Sequence, residues 1–345
     1  MGTIVRPFRF GYTGGASSKR EKLLGSARTV EALGYSTFGL ADHFVRPFAP
    51  LIAGQAVADA TTTLRITQTV LAQDFREPAI LAKELATFDV LSEGRVQVGL
   101  GAGWMRQEYE DAGMRFDSAS VRIARMEEMA IILKGLFGDE PFNFCGEHYT
   151  ITNLQGRPTP IQRPRPPIMI GGGAKKVLSV AARQADIVQL MPSNRGGVTS
   201  LDPSQFSAPA IEEKIRWIRD AAGSRFDEIE LSAQLLECAV TDQPDERLSD
   251  LADRIATVVE RMGGGHIDLG QDDLRTSPIV AVGSLDDVCG RLVETREKYG
   301  ISYFTAPIEA RPDVMAPVIE QLRGAERSSS NRKEAAATER GGNDE

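Results

Sequence analysis

A chain of 345 residues, 41% of them hydrophobic, is long enough to bury an extensive core, either as one large barrel or as two domains. Its net charge of -8 and the lack of any long basic run exclude a nucleic-acid partner, because a phosphate backbone requires a basic surface. The three cysteines (Cys145, Cys238, Cys289) are odd in number and far apart, and no stretch approaches the roughly 20 apolar residues of a membrane span, so a soluble, cytoplasmic protein with reduced thiols is expected.

Strands are predicted at residues 8–12, 36–40, 65–71, 95–100, 167–171, 186–190, 228–238 and 301–306, alternating with helical patterns and with few hairpin signals. That alternation implies a parallel sheet, and eight such strands favour a (β/α)8 TIM-like barrel, whose ligands sit at the C-terminal ends of the strands. Gly11-Tyr12-Thr13-Gly14-Gly15 follows the first strand. It could shape a substrate mouth, with Tyr12 as a contact, or be a surface turn. The second strand leads to Asp42-His43, where the histidine is either a proton-exchanging group or a ring satisfied by local backbone.

Residues 65–111 read as a strand, a helix opening at Glu77-Pro78, a turn at Ser92-Glu93-Gly94 and a strand running into Gly101-Ala102-Gly103-Trp104. Glycine there permits close approach of backbone to a flat ring; the plainer alternative is a tight turn with a core tryptophan. Ile123, Met126, Ala130, Leu133 and Phe137 recur at spacings of 3 and 4, as on one helix face lying on the barrel. After that helix, residues 141–167 carry too many prolines for a helix and are read as an inserted hairpin with an extended arm.

Gly171-Gly172-Gly173-Ala174-Lys175-Lys176 follows a strand and opens a helix. Free N–H groups, the helix dipole and two cations suit a phosphate, and the lysines would not help the helix itself. A second insertion, 192–209, is rich in Ser, Gly and Pro and is expected over the active-site mouth. The barrel is expected to occupy residues 1–325. From Gly324 onward there is no aromatic residue and no Leu, Ile or Val, so 326–345 is expected to be a disordered tail. The three histidines, His43, His148 and His266, lack any metal-ligand spacing, so no metal site is expected.

Four segments in this order resemble the luciferase-like monooxygenase superfamily, whose members bind FMN or the deazaflavin F420. They are Phe38-Gly39-Leu40-Ala41-Asp42-His43-Phe44, the 65–111 unit, Pro166-Pro167-Ile168-Met169-Ile170-Gly171-Gly172-Gly173, and Ser277-Pro278-Ile279-Val280-Ala281-Val282-Gly283-Ser284. The likeness runs from about Phe8 to Pro307 and is greatest to the F420-dependent branch. An excess of arginine over lysine, 31 to 9, hints at a GC-rich, actinobacterial source.

The resemblance implies that His43 is a proton donor beside the cofactor and that Asp42 contacts the deazaflavin. It also implies that Thr69-Val70 forms an irregular, sometimes cis, peptide behind the ring, and that Ala102, Gly103 and Gln107 contact the cofactor while Gly171, Gly172, Gly173, Ala174 and Lys176 hold its phosphate. Trp104 stands where some F420-dependent dehydrogenases have a catalytic glutamate. It cannot act as a base, which argues against sugar-phosphate oxidation and for a wall against an apolar or flat substrate. The implied activity is hydride transfer between C5 of F420 and a small-molecule or peptide substrate, preferably in the direction of reducing an activated double bond. An FMN-dependent monooxygenase and a non-catalytic deazaflavin- or flavin-binding protein are the alternatives, and a homodimer is an open option.

Overall fold

The computed structural model describes residues 6–195, 198–199, 203–261, 270–308 and 310–326. In chain order the elements are β1 (Arg9–Gly14), α1 (Arg20–Ala32), β2 (Thr37–Leu40), α2 (Pro50–Ala60), β3 (Arg65–Gln68), β4 (Leu71–Ala72), α3 (Pro78–Leu91), β5 (Val96–Gly101), α4 (Arg106–Asp111), α5 (Ala119–Leu136), β6 (Phe142–Cys145), β7 (Thr150–Leu154), β8 (Ile168–Gly172), α6 (Lys175–Gln184) and β9 (Ile187–Leu190). There follow β10 (Asn194–Arg195), β11 (Val198–Thr199), α7 (Ala208–Ala222), β12 (Glu230–Gln234), β13 (Glu237–Val240), α8 (Pro244–Arg261), α9 (Gln271–Thr276), β14 (Val280–Gly283), α10 (Leu285–Tyr299) and β15 (Ile301–Thr305). Residues 316–326 are helical.

The parallel pairs run β3, β2, β1, β15, β12, β9, β8, β5, and β3 also pairs with β5 at Ile66↔Val96 and Thr67↔Gln97. With β4 continuing β3 along β5, the sheet is a closed eight-position barrel, as the strand–helix alternation predicts.

Alternation along each strand decides which side chains fill the interior. The outward face carries Phe10, Phe38, Ile66, Val98, Ile170, Val188, Leu231 and Phe304, each no more than 3% exposed beneath the helices. The inward face is polar at the N-terminal end. The Arg9 guanidinium pairs with Glu230, donates to Gln97 Oε1 at 2.7 Å and lies over the Tyr303 ring, while Tyr303 and Thr37 share a hydroxyl hydrogen bond of 2.6 Å. Met169, Ile187 and Val70 pack with Tyr303 just above. Together they form a floor across the barrel.

All five members of the predicted stripe on α5 are buried, along with Met129, Ile132 and Leu136. Burying each large apolar side chain is worth roughly 1.5–3 kcal/mol, so this helix is fixed by packing; Ser118 caps its start through Val121 N. No helix among the described residues is long and apolar enough to cross a membrane.

Two expectations are corrected in detail. The strand predicted at 228–238 is two strands. Leu235 N still bonds to Thr305 O, but Leu236 N turns to Ile279 O, and β13 leaves the barrel to pair with β14. The motif at 277–284 therefore lies in a small outer sheet, not on the barrel wall. At the C-terminus the helix runs on through Gly324 and Ala325 to Glu326, whose carboxylate accepts from Phe8 N at 3.0 Å and from Arg296 at 2.6 Å. Two ionic or polar partners hold these residues without an apolar anchor. The rest of the expected tail, 327–345, lies outside the described residues, as does His266. The insertion at 142–167 does form an antiparallel hairpin, β6–β7, followed by an arm with cis bonds at Arg157-Pro158 and Arg163-Pro164.

Candidate active site

The C-terminal half of the barrel interior is lined by small residues. Gly11, Gly39, Gly99, Gly101 and Gly171 all stand on inward positions, but they are glycine for different reasons. A Cβ on Gly99 would lie 1.8 Å from the Gln68 carbonyl oxygen, and one on Gly101 would lie 2.3 Å from Val70 Cγ2. Both make room for the break between β3 and β4, where Thr69-Val70 is a cis peptide, as the family resemblance implies. Beside Gly171 the nearest atom to such a Cβ is 3.5 Å away, so this position has space. Thr69 Oγ1, Ser232 Oγ and Thr305 Oγ1 are buried and without hydrogen-bond partners. Unpaired buried polar atoms are costly, and a set of them above the Met169, Ile187 and Val70 layer of the floor fits a flat ligand with polar edges.

At the rim, the loop after β2 carries Asp42 and His43 to different tasks. Asp42 is 7% exposed, and its carboxylate accepts from Ala72 N at 3.0 Å and from both terminal nitrogens of Arg76, at 2.6 and 3.0 Å. A bidentate Arg–carboxylate pair is geometrically fixed, so Asp42 acts as a brace between β2 and β4; any contact to a cofactor would have to be made around this pair.

His43 is partly exposed, and its Nδ1 lies 2.7 Å from Glu108 Oε2. Its ring stands edge-on to Trp104, with centroids 5.8 Å apart and planes at 81°. A carboxylate is acceptor-only, so in the neutral ring the hydrogen belongs on Nδ1 and Nε2 is the nitrogen not bonded to Glu108. Glu108 is 5% exposed, and its other oxygen, Oε1, has no partner.

α4 places Glu108. Tyr109, beside it, is 1% exposed, and its hydroxyl donates to Asp74 Oδ2 at 3.1 Å between the rings of Phe75 and Phe116. Burial pushes the Tyr109 phenol and the Asp74 carboxyl up from their ordinary ranges. The Tyr109 hydroxyl would stand 1.9 Å from a Cβ on Gly103, which has φ of 71°. Gly103 is thus required by tyrosine packing and a left-handed backbone, beyond any close approach of a ring. Arg122 Nε donates to Ala102 O at 3.3 Å and closes the same loop.

Two assigned residues stand away from the mouth. Gln107 is exposed on α4, its amide donating to Asp111 Oδ1 at 2.8 Å; the inward position belongs to Glu108. Tyr12 is on the outward face of β1, its ring against Tyr35 and Phe38 and its hydroxyl donating to Ala310 O at 3.1 Å. Strand alternation gives the inward place to Thr13. His148 sits on the β6–β7 connection, where its backbone N–H donates to Glu128. No group of three His, Cys, Asp or Glu poised to hold a metal occurs among the described residues.

On the far side of the rim, the glycine turn after β8 borders a cavity of about 1020 Å³, lined by Gly173, Ala174, Lys175, Ser193, Gln205 and residues of α7. Gly172 is needed because a Cβ would strike Val177 at 2.3 Å, and Gly173 because one would strike Met191 O at 2.3 Å. Lys175 faces the cavity; Lys176 is exposed and is not part of its wall. Lys214, 4% exposed, donates from Nζ to Met191 O at 3.0 Å and Gln205 O at 3.1 Å, and burial pushes its ammonium down to about 8. It ties both ends of the 192–205 segment to α7.

Sequence reasoning missed Glu108, Arg76 and Lys214. α4 has only six residues, too few to show a face, and the partners of Glu108 and Arg76 lie 65 and 34 residues away along the chain.

Residues 1–302 match the luciferase-like monooxygenase family. Among curated relatives, an FMNH2-dependent dimethylsulfone monooxygenase of Pseudomonas putida is 33% identical over 131 residues, covering 38% of this chain and 36% of that protein. The match thus spans about a third of that relative's length. An F420-dependent glucose-6-phosphate dehydrogenase of Amycolatopsis mediterranei (strain U-32) is 27% identical over 249 residues, covering 64% of this chain and 74% of that protein. Among solved structures, an F420-dependent secondary alcohol dehydrogenase superposes with a TM-score of 0.70 at 19% identity, over 92% of this chain and 99% of that one. The F420-dependent tetrahydromethanopterin reductase of Methanopyrus kandleri gives 0.71 at 18% identity, over 91% and 98%. The closed barrel and the family match over residues 1–302 have one reading: this chain is a member of the luciferase-like monooxygenase family.

Proposed function

We propose that the chain is an F420-dependent oxidoreductase that reduces an activated double bond of an organic substrate. The observation that carries the reading is His43 at the barrel mouth, held through Nδ1 by buried Glu108 and flanked by Trp104. When bound, F420 supplies a hydride at C5 and, lacking the flavin N5, reacts poorly with oxygen, which favours reductase over oxygenase chemistry. The protein's own part is to let His43 carry a second proton, on Nε2, as an imidazolium whose Nδ1–H is held by Glu108, and to exclude water with the Trp104 ring. The small inward residues and the unpartnered Thr69, Ser232 and Thr305 hydroxyls would hold the ring, and the start of α6 would hold the phosphate.

Support for F420 over FMN comes from the relative matched over the greater length, 249 residues against 131. The higher identity of the dimethylsulfone monooxygenase keeps an FMN-dependent monooxygenase as the second reading. Fluorescence titration decides between them. F420 is expected to bind at micromolar Kd or tighter and FMN much more weakly; the reverse order would move the protein to the monooxygenase reading.

Lys175 tests the orientation of the ligand. Lys175→Glu places a like charge beside the expected phosphate and should weaken F420 binding by roughly 5- to 10-fold, or about 1–1.4 kcal/mol. The loss should shrink for a deazaflavin fragment without the phosphate tail. Equal losses for both ligands would put the phosphate elsewhere.

A further inference from the structure

We infer that Glu108 is a positioning residue that fixes which ring nitrogen of His43 faces the substrate; this rests on the oxidoreductase reading above. The case begins with what Glu108 lacks. It is buried, one oxygen has no partner, and the other meets only His43. A buried carboxylate with half its acceptor capacity unused is a poor stabilising device. The charged groups nearby are committed to one another: Asp42 to Arg76, and Asp74 to Arg125, which also pairs with Asp117. Neither arginine is bonded to Glu108, and among the described residues His43 is the one hydrogen-bond partner of its carboxylate.

The mounting is rigid where it matters. Tyr109, next in sequence, is locked by Asp74, Phe75 and Phe116 and by the absence of a Cβ on Gly103. Glu108 therefore reports the position of the Gly101-Ala102-Gly103-Trp104 loop to a histidine carried on a different strand. A ring with Nδ1–H bonded to a carboxylate presents Nε2 in one orientation, and a positive charge on the ring is compensated on the side away from the substrate. Remove the carboxylate, and the ring is free to rotate, to change tautomer and to lose its counter-charge.

The test uses Glu108→Gln, nearly the same shape without the charge, and a double variant with His43→Ala. Turnover of reduced F420 should fall roughly 10²-fold, with Kd for F420 changed less than about twofold. In the His43→Ala background the substitution should add little, because there is no ring left to position. A full, independent 10²-fold loss in that background would overturn the inference. Ring ¹⁵N spectra of His43 supply a readout that needs neither cofactor nor turnover. When the ring is neutral the wild type should show the Nδ1–H tautomer, which free histidine disfavours, and Glu108→Gln should restore the Nε2–H form. The inference is overturned if the wild type is already Nε2–H, whereas normal spectra with no F420 turnover would sink only the cofactor reading. Should Glu108→Gln fail to fold, Glu108→Asp, one methylene shorter with the charge kept, should give the same tautomer change in weaker form; an unchanged tautomer there would also overturn it.

Discussion

Replacing His43 by alanine is expected to cut turnover by roughly 10²- to 10⁴-fold while leaving cofactor affinity within about threefold, because general acid catalysis acts on the transition state and adds little to ground-state binding. The geometry sharpens this expectation. The ring lies at the rim, bonded through Nδ1 to Glu108 and edge-on to Trp104, and none of the buried hydroxyls below it is its partner. Removing it leaves the floor and the glycine-lined wall as they are. Steady-state kinetics beside a fluorescence titration measure both quantities on one preparation. Full activity in the variant would make His43 structural and pass the acid's role to another group; a matching collapse of affinity would mean that His43 binds the cofactor.

The second large effect concerns the fold. Gly99→Ala should destabilise the protein by about 3 kcal/mol or more and reduce soluble yield, because its Cβ would sit 1.8 Å from the Gln68 carbonyl oxygen and 2.8 Å from the carbonyl carbon. Backbone cannot rotate aside as a side chain can, so either β5 or the β3–β4 break must move. Gly25→Ala is the control. Gly25 lies within α1, and nothing stands within 4 Å of its added Cβ. Alanine there should stabilise by about 0.5–1 kcal/mol through helix propensity. Chemical denaturation of the two variants gives opposite signs if the packing argument holds. Equal, small changes would show that the barrel wall yields at Gly99.

Much of the architecture was legible because burial leaves a signature in strand and helix runs. β5, Val96–Gly101, is buried at every residue and reads as an apolar run broken only by Gln97; the α5 stripe follows the helical period. Other features depend on where a distant segment passes. Nothing in Leu235-Leu236 announces that one backbone N–H turns to β15 and the next to Ile279. The glycines were visible, but not why they are glycine: Gly103 is set by the Tyr109 hydroxyl and Gly101 by Val70, contacts that exist only once the barrel has closed. The site divided along the same line. His43 and Trp104 announce themselves by residue type and by position after a strand. Gln107 and Glu108 are adjacent, and only the docking of a six-residue helix decides that the second turns inward.

The polar floor has a consequence for how this protein can change. Arg9, Glu230, Gln97, Tyr303 and Thr37 close the barrel at one end, so the molecule is a cup and not a tube. Anything that reaches His43 must arrive and depart by the same opening. Substitutions therefore sort by depth. At the base, a lost partner strands a buried charge and costs stability whatever compound is being turned over. Around the lip, at Thr13, Phe44, Trp104 and Ser193, a change alters what fits while the walls stand. A search for altered selectivity should vary the lip and leave the base alone, for there the chain is already committed to holding itself together.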